Sequence, residues 1–164
     1  TITVRLGSEA VRTLGLGTLE AGAHTATWDG RAGSGEYLAS GRPVFTVTAT
    51  STLGESSISK TLVVDLYRPR IYAPKAKTAR RGTTTRLGFK AWDPFSAKVD
   101  VRFVVTNAKG RRVASGHPGW RRTGKGLTAS WKPRSRGVFT VTWRATDRGG
   151  NREATRTRTT VTVR

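Results

Sequence analysis

The sequence predicts an all-β protein built as two tandem immunoglobulin-like sandwiches. Apolar and polar residues alternate with a period of two over short stretches, and no segment carries a helical stripe. Clusters of Gly, Asn, Asp and Pro punctuate those stretches at the spacing expected of turns. The charge then divides the chain. Residues 1–65 hold 5 Lys and Arg against 6 Asp and Glu, and residues 66–164 hold 25 against 4, which together give the net +20. So abrupt a switch marks two units with different surfaces and different partners. The expected division is residues 1–67 and 68–164.

In the first unit the expected strands are Ile2–Leu6, Val11–Leu16, Ala23–Trp28, Val44–Ser51 and Ser57–Leu66. Turn-rich stretches separate them, notably Asp29-Gly30-Arg31-Ala32-Gly33-Ser34-Gly35 and Thr52-Leu53-Gly54-Glu55. Arg68-Pro69-Arg70-Ile71-Tyr72-Ala73-Pro74 reads as an extended linker, since each Pro restrains the residue before it. In the second unit, Thr83–Ala91 places Thr85, Leu87, Phe89 and Ala91 on one face. Lys98–Thr106 turns Val99, Val101, Phe103 and Val105 inward, and Asn107-Ala108-Lys109-Gly110 makes a hairpin turn into Arg111–Ala114. Leu127–Trp131 is a short strand. Gly137–Thr146 buries Phe139, Val141, Trp143 and Ala145, and a turn at 147–151 leads into a last strand at Glu153–Arg164. About seven short strands in roughly a hundred residues fit an immunoglobulin-like sandwich.

The 35% hydrophobic content suits thin sandwiches that bury one face of each strand. Absence of cysteine excludes disulfides and thiolate chemistry. No apolar run approaches the ~18 residues of a membrane-spanning helix. Absence of Met reads as a piece of a longer polypeptide.

Residues 11–50, VRTLGLGTLEAGAHTATWDGRAGSGEYLASGRPVFTVTAT, resemble the Ig-like domain of the flagellar hook-capping protein family. The carrying pieces are Val11–Leu14, Ala21–Gly30, Gly33–Gly35, Ser40–Gly41 and Phe45–Ala49. The Trp-Asp-Gly at 28–30 has its own logic, because Asp29 can accept from turn N–H groups and Gly30 permits positive φ. Gly41-Arg42-Pro43-Val44-Phe45 departs from the family's usual entry to its last strand. The second unit is similar to Ig-like or fibronectin-III-like modules of secreted bacterial proteins, on Ala79–Gly82, Asn107–Gly110, Gly137–Thr140 and Ala145–Arg152. That resemblance implies a spacer, adhesin or binding appendage beside a catalytic domain, at an extracellular or cell-surface location.

Catalysis has little to stand on. The two histidines, His24 and His117, fall in different units, and no pair of acids is spaced for acid–base work. Asp147 and Asn151 flank a glycine pair, a pattern that suits an Asx turn better than a calcium site among Arg148 and Arg152. No cofactor or metal is expected. The basic unit is the functional candidate. Arg102, Arg144, Arg156 and Arg158 alternate outward on strands of one sheet, with Asp100 as an available counter-charge. Trp120 lies in a stretch read as a loop, 117–125, among Arg121, Arg122 and Lys125, where its ring can stack on a sugar or a base. The expected partner is an anionic cell-wall polymer or polysaccharide. An inert spacer and a nucleic-acid binder are the alternatives, the latter lacking a recognition helix or an RNA-binding aromatic strand.

Overall fold

A computed structural model describes residues Thr1–Arg164 and contains no helix; the chain is all-β with an Ig-like sandwich fold. It divides into two compact units, Thr1–Leu66 and Tyr67–Arg164.

The first unit carries one antiparallel sheet in the order β2-β1-β3-β4, from β1 (Ile2–Leu6), β2 (Glu9–Leu14), β3 (Val44–Ser51) and β4 (Gly54–Thr61). Val4 on central β1 is completely buried and pairs with Phe45, whose ring meets Trp28 edge-on at 5.1 Å. Residues 15–43 form no ladder: isolated bridges join Arg31 to Tyr37 and Gly41 to Val64, and Gly33 N donates to Val11 O of β2 at 2.7 Å. The strand expected at Ala23–Trp28 is therefore absent. Its alternation has no neighbouring ladder to join, and Trp28 is held instead by its turn. The indole N–H donates to the Arg31 carbonyl at 2.8 Å, Asp29 Oδ1 accepts from Arg31 N at 3.0 Å, and Gly30 takes φ +79°. The Trp-Asp-Gly logic read from the sequence holds.

The second unit is a two-layer sandwich. One layer is β10-β7-β5, from β5 (Arg70–Tyr72), β7 (Thr85–Trp92) and β10 (Gly126–Trp131). The other is β6-β12-β11-β8-β9, from β6 (Ala76–Ala79), β8 (Lys98–Asn107), β9 (Arg112–Arg122), β11 (Gly137–Thr146) and β12 (Arg158–Val163). β6 runs parallel to β12, and every other pairing is antiparallel. The layers hold three and five strands, an immunoglobulin-like sandwich with β6 added in parallel at one edge.

All twelve residues assigned inward on β7, β8 and β11 are buried. Trp143 is the centre of that core, with Phe89 at 4.8 Å and Phe103 at 5.4 Å between ring centroids. Its indole N–H reaches Thr159 Oγ1 at 3.3 Å, so the one polar atom of the largest core side chain is satisfied.

Three expectations are corrected here. The linker contains β5, because Ile71 is apolar enough to bury against β7 despite its flanking Pro and Arg residues. The stretch 117–125 is mostly strand: β9 runs to Arg122, and only Thr123–Lys125 turn. Pro118 and Gly119 suggested a loop, yet they are absorbed by a bulge. Facing β8, the pairing shifts by one residue between Val101 and Phe103 and again between Val105 and Thr106. Finally, the last strand begins at Arg158 rather than Glu153.

Gly116 sits at the first of those bulges. A Cβ there would lie 2.3 Å from Cε1 of buried Phe103. Gly116→Ala should therefore lower unfolding stability by about 1–3 kcal/mol in urea denaturation, because the ring has no room to retreat. Gly88→Ala on β7, where nothing lies within 4 Å, should fall within about 0.5 kcal/mol of wild type. Equal effects at both sites would refute the close packing of β9 on Phe103.

Candidate functional site

Two cross-strand rows form a groove on the outer face of the five-stranded sheet. In one row Arg102 on β8 lies directly opposite Arg144 on β11. In the other, Asp100 pairs with Trp120 on β9 and with Thr146 on β11, and Thr146 bridges to Arg152. The groove has a volume of about 450 Å³, and Ala145, Asp147, Glu153 and Arg156 complete its lining.

Its third wall is made by an irregularity. β12 pairs Arg158 with Thr142, a sum of 300, whereas Arg152 pairs with Thr146, a sum of 298. Two extra residues therefore bulge out between Glu153 N, which donates to Ala145 O at 3.0 Å, and Thr157 O, which accepts from Trp143 N at 2.9 Å. Bulges re-aim side chains. This one lets Glu153 turn inward to the opposite layer, where Oε1 accepts from Ile71 N at 3.2 Å and from Thr157 Oγ1 at 2.9 Å. Thr157 Oγ1 also lies 2.7 Å from Ile71 O, its single proton shared between that carbonyl and Glu153, so both backbone groups of that core residue are met from the bulge. Glu153 Oε2 is buried without a hydrogen-bond partner.

The acids of the groove are engaged internally. Both Asp147 oxygens accept from Asn151, at 2.8 Å from its backbone N–H and 2.8 Å from its side-chain amide, the Asx turn expected there. Asp100, its side chain 14% exposed, holds Arg102 Nε at 3.1 Å and His117 Nε2 at 2.5 Å. Arg144, Arg152 and Arg156 have no ion-pair partner within 4 Å. Like charges opposite one another across strands are destabilising. The Arg102–Arg144 pair thus has an ion pair on the Arg102 side, while Arg144 meets only the more distant charge of Glu153. Trp120, 47% exposed, forms a wall of the groove, and the Arg148 guanidinium stands 5.9 Å from its ring centroid.

Of the residues expected at a site, the groove brings together Arg102, Arg144, Arg156 and Trp120. Arg158 lies on the same outer face opposite Thr142, beyond the groove. Arg122 pairs with Lys98, and Arg121 opposes inward-facing Val99, so it alternates to the other side of the sheet from Trp120. Lys125 is in the turn after β9. Sequence reasoning missed Arg152 and Glu153. Their neighbourhood was visible as a turn, but the two-residue shift that places them leaves the alternation unchanged and so has no signature in the period-two pattern.

Burial pushes the Glu153 carboxyl above the ordinary range of a glutamate, against the opposing effects of Thr157, Ile71 N–H and the Arg144 charge.

Compared with known proteins, residues 1–52 match the FlgD Ig-like domain. No curated protein matches the chain. Among solved structures, it is similar to the PKD domain of an M14-like peptidase from Thermoplasmatales archaeon SCGC AB-540-F20, with 19% identity, 58% of this chain and 92% of that one covered, and a TM-score of 0.41. A superoxide reductase (neelaredoxin) from Ignicoccus hospitalis matches at 13% identity over 60% of this chain and 81% of that one, TM-score 0.37. Domains 4 and 5 of the S-layer protein SbsC match at 12% over 99% and 97%, TM-score 0.34.

A carboxyl whose folded pKa is raised binds its proton more tightly in the folded state. Between the ordinary glutamate value and the raised one, stability therefore falls as pH rises, and the full penalty holds above that window. Glu153→Gln should accordingly be more stable than wild type near about pH 7.5 in urea denaturation, with the gap closing as pH falls toward about 4.5. A gap that widens on acidification would contradict the buried, proton-favouring setting of Glu153.

Proposed function

We propose that the chain is a non-catalytic accessory piece of a secreted or surface protein, and that its basic unit holds an anionic cell-envelope polymer or polysaccharide. The observation that carries this reading is the row of Arg102, Arg144 and Arg156, with Arg152 beside it, in a groove whose acids are spent on the protein's own backbone and side chains. An anion entering there relieves cross-strand repulsion and meets guanidinium forks shaped for carboxylate or phosphate. Trp120 offers a flat apolar surface to a ring carried by the same chain. Beyond the groove, the unit's net charge of +21 over residues 66–164 draws a polyanion in from a distance. The first unit, with its near balance of charge, contributes reach and spacing, and an adjacent catalytic domain of the same polypeptide is its natural neighbour.

The mechanism is multi-point electrostatic attraction, so retention on anionic cell-wall polymer should be strong at low salt and weaken steeply as ionic strength rises. Reversing Arg102, Arg144, Arg156 and Arg158 to Glu should cut low-salt affinity by roughly tenfold or more. Unchanged retention of that variant would remove these residues from the site. Preferential displacement by DNA or RNA over cell-wall polymer would make the partner a nucleic acid, and absence of salt-dependent retention would leave a spacer.

A further inference from the structure

We propose that anion binding in the groove is coupled to proton uptake by Glu153, which acts as the resident counter-charge of Arg144. This rests on the polyanion reading of the groove. The geometry sets the competition. Glu153 lies in the same cavity as the cations a ligand must reach, and the bulge that holds it is the wall from which Arg156 projects. Its Oε1 is fixed by Ile71 N and Thr157 Oγ1, while Oε2 is buried with no donor to offset its charge. An ionised carboxylate there draws on the field of Arg144 that an incoming sulfate, phosphate or carboxylate would use. Once protonated, it leaves that field to the ligand.

The surrounding groups fix the sign. β8 contributes Asp100 and Arg102, β9 contributes His117 through its contact with Asp100, and β11 contributes Arg144. The hairpin and bulge add Asp147, Arg152 and Arg156, and β5 presents the Ile71 N–H. Arginines stay charged throughout, and both Asp147 oxygens are held by Asn151. Burial already favours the neutral form of Glu153, so its titration falls above the ordinary glutamate range. His117, in contact with Asp100, is the other group to separate experimentally. By linkage, whatever raises anion affinity on protonation must also raise proton affinity on anion binding.

Dextran sulfate is the probe, since its sulfates do not titrate in the range used. At constant ionic strength its affinity for the full chain should rise about three- to tenfold from about pH 8 to about pH 5. Glu153→Gln should bind about as tightly at the higher pH as wild type does at the lower, with the rise abolished, while His117→Asn should retain it. Carbon-13 NMR of the Glu153 carboxyl reads the coupling from the other side: without ligand Arg144→Gln should raise its titration midpoint, and saturating dextran sulfate should raise it in wild type. A pH-independent affinity, an equal rise in Glu153→Gln, or a midpoint that Arg144→Gln leaves in place would overturn the coupling alone. Absence of dextran sulfate binding at any pH would overturn the polyanion reading, and the coupling with it.

Discussion

The register between β8 and β11 is the constraint from which the second unit's surface follows. Eight consecutive pairs, from Phe139–Asn107 to Thr146–Asp100, lock the two central strands together. On the inner face that register stacks Val101, Phe103 and Val105 against Ala145, Trp143 and Val141, all buried. A slip by one residue would send those side chains to solvent and drive Arg102 and Arg144 into the core, so the apolar face leaves the outer face no choice. Arg102 must stand opposite Arg144. The sandwich gains its core and accepts a like-charge pair on its outside in the same step.

What surrounds that pair determines whether it is a nuisance or a site. At one flank a β9 bulge brings His117 to Asp100, and Asp100 in turn pins Arg102. On the other, the two-residue shift before β12 folds Glu153 back toward β5 and leaves Arg156 outside. Three of the second unit's four acids line this one groove, and each is engaged by an internal donor. Over the rest of that unit the cations have almost no acids to meet. The groove is therefore where four arginines meet three carboxylates in a shaped cavity, while the larger excess of positive charge lies over the rest of the unit.

The inner face of the second unit was legible in the sequence because burial imposes strict alternation on Thr85–Ala91, Val99–Val105 and Phe139–Ala145. The outer face followed from the same parity, which is why Arg102 and Arg144 were assigned together. Irregularities were not legible. Bulges at β9 and before β12 depend on partners distant in sequence: Gly116 is required by the Phe103 ring, and Glu153 turns inward because Ile71, more than eighty residues earlier, offers its backbone. β5 hid among prolines for a related reason, since a three-residue strand is stabilised by its neighbour rather than by its own pattern. In the first unit the Trp28–Gly30 turn was readable from local chemistry, whereas the fate of Ala23–Trp28 depended on a ladder that does not form.

The repulsion between Arg102 and Arg144 can be measured without knowing any ligand, by thermal unfolding of wild type and Arg144→Gln across ionic strength. If Asp100 beside Arg102 and Glu153 near Arg144 offset the pair only in part, the variant melts higher than wild type at low ionic strength, and the difference closes as salt screens it. A variant that melts at or below wild type at every ionic strength would mean that Arg144 is already compensated within the fold, and the groove would have no unmet charge for a polyanion to satisfy.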